Sequence, residues 1–264
     1  MRMPSFTRTV LLLVATPLAA ITPALAQPTA QTGAQCSVKS SSPAPVVVEL
    51  YTSEGCSSCP PADRWLTQLK GRSDVIALAF HVSYWDRLGW PDRFASPAFT
   101  QRQEALRDRH GARYVYTPQV VVDGRDTPGW QGWRAPASST RTASPLSLQL
   151  ARTPAGIEAV VQTASPGATA TAGAPARLAA YWVVLEDGHS SAVKAGENAG
   201  ETLKHDQVVR AYRPVPGWRN DGTPQRLVFD DRAASPAGTF ARRVLLVVSD
   251  EQTGVPLQAL ALAC

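Results

Sequence analysis

Apolar residues change their rhythm about halfway along this chain, and the change separates two kinds of element. In the first half, β-branched runs alternate with helical patterns. Val46–Tyr51 and Val75–Phe80 read as buried strands, the second ending at His81. A helix is predicted from about Cys59–Pro61 to Lys70, with Leu66 and Leu69 facing inward and Gly71 as its stop. Ser96-Pro97 starts a second helix, carrying Phe99, Arg102, Gln103, Leu106 and Arg109 and ending at His110-Gly111. Gln119–Val122 then runs into Asp123-Gly124, a hairpin turn signal.

From Arg134 to Pro145 the chain is rich in Ala, Ser, Thr and Pro and reads as a linker. Beyond it short β-type runs recur: Leu146–Leu150, Ile157–Gln162, Leu178–Leu185, Val208–Tyr212, Leu227–Phe229, Val244–Val248 and Leu257–Leu262. Gly, Pro, Asn and Asp separate them, which predicts an antiparallel sandwich. Ala164–Ala176 is low in complexity and reads as a loop.

The N-terminus changes the compartment. Arg2 and Arg8 precede an apolar stretch, Val10–Ile21, and Ala24-Leu25-Ala26 is an A-x-A cleavage site. Residues 1–26 therefore read as a signal peptide and 27–44 as an arm. The mature protein is expected in the periplasm or secreted, with no membrane span. Of the formal charge of +5, Arg2 and Arg8 contribute two, and the remaining basic residues are scattered among acids. That pattern gives no footprint for nucleic acid.

Export makes the four cysteines, Cys36, Cys56, Cys59 and Cys264, candidates for disulfides. Four cysteines allow three connectivities. Cys56–Cys59 is the local pair, and Cys36–Cys264 would staple the two ends.

Candidate chemistry centres on Cys56-Ser57-Ser58-Cys59, a C-x-x-C placed between a buried strand and a helix start. Helix N-termini stabilise thiolates through unsatisfied N–H groups. Cys56, on the turn, is expected to be the more exposed and to attack, with Cys59 as resolver. Metal binding is an alternative: Cys56, Cys59 and His81 would form a soft set for Cu(I) or Zn. A permanent structural disulfide is the third reading. Glu54 and Asp63 could move a proton to or from Cys59, or Asp63 could serve only the helix dipole. Tyr84-Trp85-Asp86 with Trp90 reads as loop packing or a groove wall. His205 and Asp206 read as structural, and Gly196-Glu197-Asn198-Ala199-Gly200 lacks the features of a phosphate loop.

Cys56-Ser57-Ser58-Cys59 followed by Thr117-Pro118 resembles the thioredoxin-like superfamily. The longer strings resemble the exported domain-of-unknown-function family 1223. These are Tyr51–Asp63, His81–Asp86, Gly89-Trp90, Tyr116–Gln119, Val121–Gly124, Gly196–Asn198 and His205–Arg210. The resemblance implies a cis Pro118 against the dithiol, with Glu54, Thr117 and His81 as groove or pKa-tuning residues. The expected fold is an α/β thioredoxin-like domain at 45–135, a linker at 136–145 and an all-β antiparallel sandwich-like domain at 146–264. The expected activity is thiol–disulfide exchange on extended protein thiols or disulfides of the cell envelope, without a cofactor. Two serines between the cysteines and two prolines after them depart from the usual thioredoxin pattern. The last helix expected of such a unit would fall near Gly132–Ala143, where Pro136 and a Ser/Thr run form helix poorly.

Overall fold

The computed structural model describes Met1 and residues 36–164, 174–234 and 239–264. Residues 2–26 of the expected signal peptide, most of the expected arm and most of the Ala164–Ala176 stretch lie outside these residues. Gln35–Cys264 forms one compact unit. Among the described residues no helix is long and apolar enough to cross a membrane.

A short strand, β1 (Ser37–Lys39), precedes β2 (Val46–Thr52), α1 (Pro60–Thr67), β3 (Val75–His81) and α2 (Pro97–His110). Then come β4 (Gln119–Val122) and β5 (Arg125–Asp126), joined through Asp123 and Gly124 at φ of 45° and 79°. The later strands are β6 (Leu146–Thr153), β7 (Gly156–Thr163), β8 (Arg177–Glu186), β9 (His189–Ala192), β10 (Thr202–His205) and β11 (Val208–Arg219). β12 (Gln225–Phe229), a single-turn α3 (Asp231–Ala234), β13 (Arg242–Asp250) and β14 (Pro256–Leu262) complete the order.

The expected pairing of an α/β thioredoxin-like domain with a separate antiparallel sandwich is overturned. Strand dominates, and one eight-stranded sheet runs β14-β13-β8-β11-β3-β2-β4-β5 through both halves of the chain. An independent α/β unit would close its own sheet between helices. Here β3 instead pairs with β11, in parallel, through Val208 and Ala79. The Ala79 N–H donates to Gln207 O at 2.8 Å. The helix sought near Gly132–Ala143 is absent, replaced by 3-10 turns at Trp130–Gly132 and Ser138–Thr140. β6, β7 and β12 join β1 in a second, four-stranded sheet, and β9–β10 is a two-stranded sheet by itself.

Alternation decides what covers each face. Ala180, Trp182 and Val184 of β8 pack with Leu148, Leu150 and Ile157 of the smaller sheet. The intervening Tyr181, Val183 and Leu185 join Phe99 and Leu106 of α2. At the other end, Val46, Val48 and Leu50 of β2 meet Ala62 and Leu66 of α1. Burial on both faces explains the unbroken apolar runs in β2, β3 and β8.

One charged group interrupts this packing. Glu49 is buried on the α2 face, where it pairs with Arg102 and accepts hydrogen bonds from Tyr51 (2.9 Å) and Tyr181 (2.7 Å). Burial pushes its carboxyl up, but Arg102 and the two phenols outweigh that and hold it below the ordinary value.

Candidate functional site

β2 and β3 lie parallel and in register, so Thr52 and His81 end side by side. The C-x-x-C turn follows β2 directly, and β4 places Gln119 opposite Tyr51. The Thr117–Pro118 bond is cis, and both residues are half-buried.

Cys56 and Cys59 form a disulfide with Cα atoms 5.4 Å apart. Cys36 and Cys264 form the second. The expected exposure of Cys56 is corrected, because both Cys56 and Cys59 are 0% exposed. Ser57 and Ser58 between them are exposed, so the bond lies one residue below the surface. Neither sulfur belongs to any of the three apolar clusters.

The backbone around the pair also differs from expectation. Cys59 is the N-cap of α1, and Pro60 and Pro61 fill its first positions without any N–H to offer. The N–H groups of Cys59, Ala62 and Asp63 donate to backbone carbonyls of the turn. Ser57 donates its N–H (2.9 Å) and its hydroxyl (2.8 Å) to Glu197. These engaged groups leave little of the thiolate stabilisation that the helix start alone would suggest.

What covers the bond comes from the second half of the chain. Asn198, buried, donates its side-chain amide to Glu54 O (2.8 Å) and Cys56 O (2.9 Å). Glu197 and Asn198 sit at the tip of the β9–β10 hairpin, between Gly196 and Gly200 at φ of 76° and 90°. On the other side of the turn, a Cβ added at Gly55 would stand 3.1 Å from Trp85 Cβ. Trp85 donates its indole N–H to Thr117 Oγ1 at 2.8 Å, linking the turn to the cis-proline segment.

Beside the cysteine turn, and joined to it through the Glu54 N–H donating to Asp92 Oδ2 at 2.8 Å, lies a buried polar cluster. His81 Nδ1 meets Asp92 Oδ2 at 2.7 Å, and both side chains are fully buried. Burial alone would raise Asp92, yet the His81 charge and the N–H groups of Glu54 and Phe94 bring it down to about 2. Burial would lower His81, and Asp92 more than reverses this, leaving its pKa raised. His205 Nε2 stands 3.2 Å from Glu54 Oε1, and Trp90 donates to Glu54 Oε2 at 2.8 Å. Burial pushes Glu54 up, but contacts with His205, Ser191 and Trp90 hold it below its usual value. Asp63 moves the other way, raised by burial despite both histidines and a hydrogen bond from Thr52 (3.2 Å). A cleft of about 170 Å³ between α1 and β10 is lined by Asp63, His205, Arg64 and Lys204.

The structure thus brings together Cys56, Cys59, Glu54 and His81, with Thr117 reached through Trp85. Cys36 and Cys264 are elsewhere. Among the described residues no group of three or more His, Cys, Asp or Glu side chains is arranged to hold a metal ion. Sequence reasoning named Glu197 and Asn198 only within a family string and missed their contacts with the cysteine turn, and it missed Asp92 and the part played by His205. The signal for the first two was the pair of glycines bracketing an acid and an amide.

A family model described as "Protein of unknown function (DUF1223)" matches residues 47–247. The chain belongs to this family. The DUF1223 match spans the cysteine turn, the polar cluster and the hairpin tip that covers them. A crystal structure of a protein from Agrobacterium tumefaciens is 26% identical, with a TM-score of 0.57 over 83% of this chain and 93% of that one. HBP35 of Porphyromonas gingivalis is 15% identical, with a TM-score of 0.51 over 83% of this chain and 75% of that one, a likeness of fold alone. No curated protein matches the chain.

Proposed function

We propose that this DUF1223 member carries out thiol–disulfide exchange on proteins of the cell envelope, through Cys56 and Cys59. The supporting observation is how the bond is buried. Its two cysteines flank two exposed serines and lie outside every apolar cluster, and a hairpin tip holds the turn through four hydrogen bonds. A surface loop of that kind can move without disturbing the core. Export rests on the pattern of residues 1–26 and agrees with the two disulfides, which persist in oxidising compartments.

In this reading a partner thiolate attacks Cys56 Sγ. The partner–Cys56 disulfide forms, and the Cys59 sulfur leaves with its electron pair and takes a proton. A second partner thiolate then attacks the partner's own sulfur in the mixed disulfide. Cys56 departs and takes the second proton, the partner is oxidised, and the pair is reduced by two electrons. Run backwards, the Cys56 thiolate attacks a partner disulfide and Cys59 resolves it. The partner is an extended protein segment, and no cofactor is required.

A second reading has its own support: zero exposure of both cysteines suits a permanent structural bond. The reduction potential separates the two. A value above about −300 mV, with insulin reduction that vanishes in Cys56→Ser, supports exchange. A value below it, with only the melting temperature changed in Cys56→Ser, supports the structural bond.

A further inference from the structure

The β9–β10 hairpin stands apart from both large sheets, and its tip reaches the cysteine turn with two adjacent residues of opposite hydrogen-bonding character. Glu197 brings a carboxylate to the Ser57 N–H and hydroxyl, and Asn198 brings an amide to the carbonyls of Glu54 and Cys56. The Ser57–Glu197 contact is exposed and holds the Glu197 carboxyl below its ordinary value. The tip is shaped before it docks: Gly200 N–H donates to Val193 O (2.9 Å) and Glu201 N–H to Asn198 O (3.1 Å). Gly196 rests against Trp90, with Cβ 3.5 Å from the position a Gly196 Cβ would take.

We infer that the hairpin tip occupies the seat of the protein partner. The displaced contacts then define the partner's chemistry: a segment with a carboxylate side chain beside its cysteine, followed by an amide N–H donor. This inference rests on the exchange reading. The carboxylate satisfies the Ser57 donors that Glu197 vacates, and the N–H group satisfies the carbonyls of Glu54 and Cys56. A carboxylate–N–H hydrogen bond is stronger than a neutral one, so an acidic segment competes with the tip where a basic one does not. The tip is both cover and template, and a partner lacking the acid meets a closed turn.

The test uses the full oxidised chain and two synthetic peptides, each with one cysteine. One carries Glu-Asn next to the cysteine and the other Lys-Ala. Mixed-disulfide formation is followed by mass spectrometry in 0.5 M NaCl, where long-range charge steering is screened. Glu197→Ala and Asn198→Ala are expected to speed the reaction about tenfold, each removing two hydrogen bonds from the cover. On Glu197→Ala the acidic peptide is expected to react about tenfold faster than the basic one, and Ser57→Ala on that background narrows the gap. Glu197→Ala, whose exposed contact lies outside the core, reads out the acceleration by itself if Asn198→Ala fails to fold. Variants no faster than the parent chain, or equal rates for the two peptides, overturn the inference and leave exchange standing. No mixed disulfide on any chain overturns both.

Discussion

Cys36–Cys264 and Cys56–Cys59 differ in two respects at once. The first spans 228 residues and ends at an exposed cysteine, whereas the second spans three and is wholly buried. Chain-entropy reasoning assigns the long closure ~5 kcal/mol of stability and the short one ~2 kcal/mol. The bond that ends at an exposed cysteine is therefore the one with most to contribute to stability, and the wholly buried bond the one with least. Burial of Cys56–Cys59 calls for another reason, and under the proposed exchange reading the hairpin that holds the turn supplies one. Exposure is a poor guide to role here. The size of the loop and the company each sulfur keeps are better ones.

The largest effect expected is on the terminal staple. Replacing Cys36 and Cys264 together with alanine should lower the melting temperature by about 10–20 °C in calorimetry, from ~5 kcal/mol at roughly 2–4 °C per kcal/mol for a domain this size. The same replacement of Cys56 and Cys59 should cost less than half as much. Equal losses from the two pairs would break the comparison.

Next comes a control on the opposite face of the sheet. Arg102→Met strands the buried Glu49 carboxylate, and a loss of about 3–5 kcal/mol in denaturant unfolding is expected. The reduction rate of Cys56–Cys59 in the folded protein should not change. If it does, the disulfide responds to general loosening and the hairpin is not its gate.

Acid titration sharpens the contrast further. Asp92, held at about 2 in the folded chain, adds stability that is present above its ordinary value of 3.8 and lost as pH falls through 2. That difference corresponds to about 2 kcal/mol. His81, raised by the same pairing, adds stability that is complete below 6.5 and fades as pH climbs through its folded value. Stability should therefore peak between these limits, and Asp92→Asn should flatten the acid side of the curve. A parent-like acid limb in that variant would show that the pair does not set it.

The smallest effect belongs to Asp63. Its carboxyl is raised in the folded state, so ionising it opposes folding at neutral pH. Asp63→Asn should raise the melting temperature slightly at pH 7 and make no difference in acid, where both forms are neutral. A fall at pH 7 would mean that the Thr52 hydrogen bond and the two histidines dominate.

Local chemistry made most of the elements legible. Val46–Tyr51, Ser96-Pro97 and Asp123-Gly124 carry their own instructions, and the observed β2, α2 and β4–β5 turn follow them closely. The cysteine pairings were likewise within reach of compartment and count. The joining of β3 to β11 was not, because its rung links residues more than a hundred positions apart and nothing in either strand names the other. That single omission hid the eight-stranded sheet that runs through both halves of the chain. Around the site, the four-residue β9 and β10 are too short and too polar to announce a hairpin. With them went Glu197, Asn198 and the placing of His205. Glu49 was passed over for a similar reason, since a lone acid in a strand reads as a solvent-facing position until its partners on α2 and β8 are known.

The rung between Ala79 and Val208 has a mechanical meaning. The cysteine turn stands on one bank of that narrow seam and the hairpin that covers it on the other. A single rung, with the four hydrogen bonds of the hairpin tip, thus ties the cysteine turn to its cover.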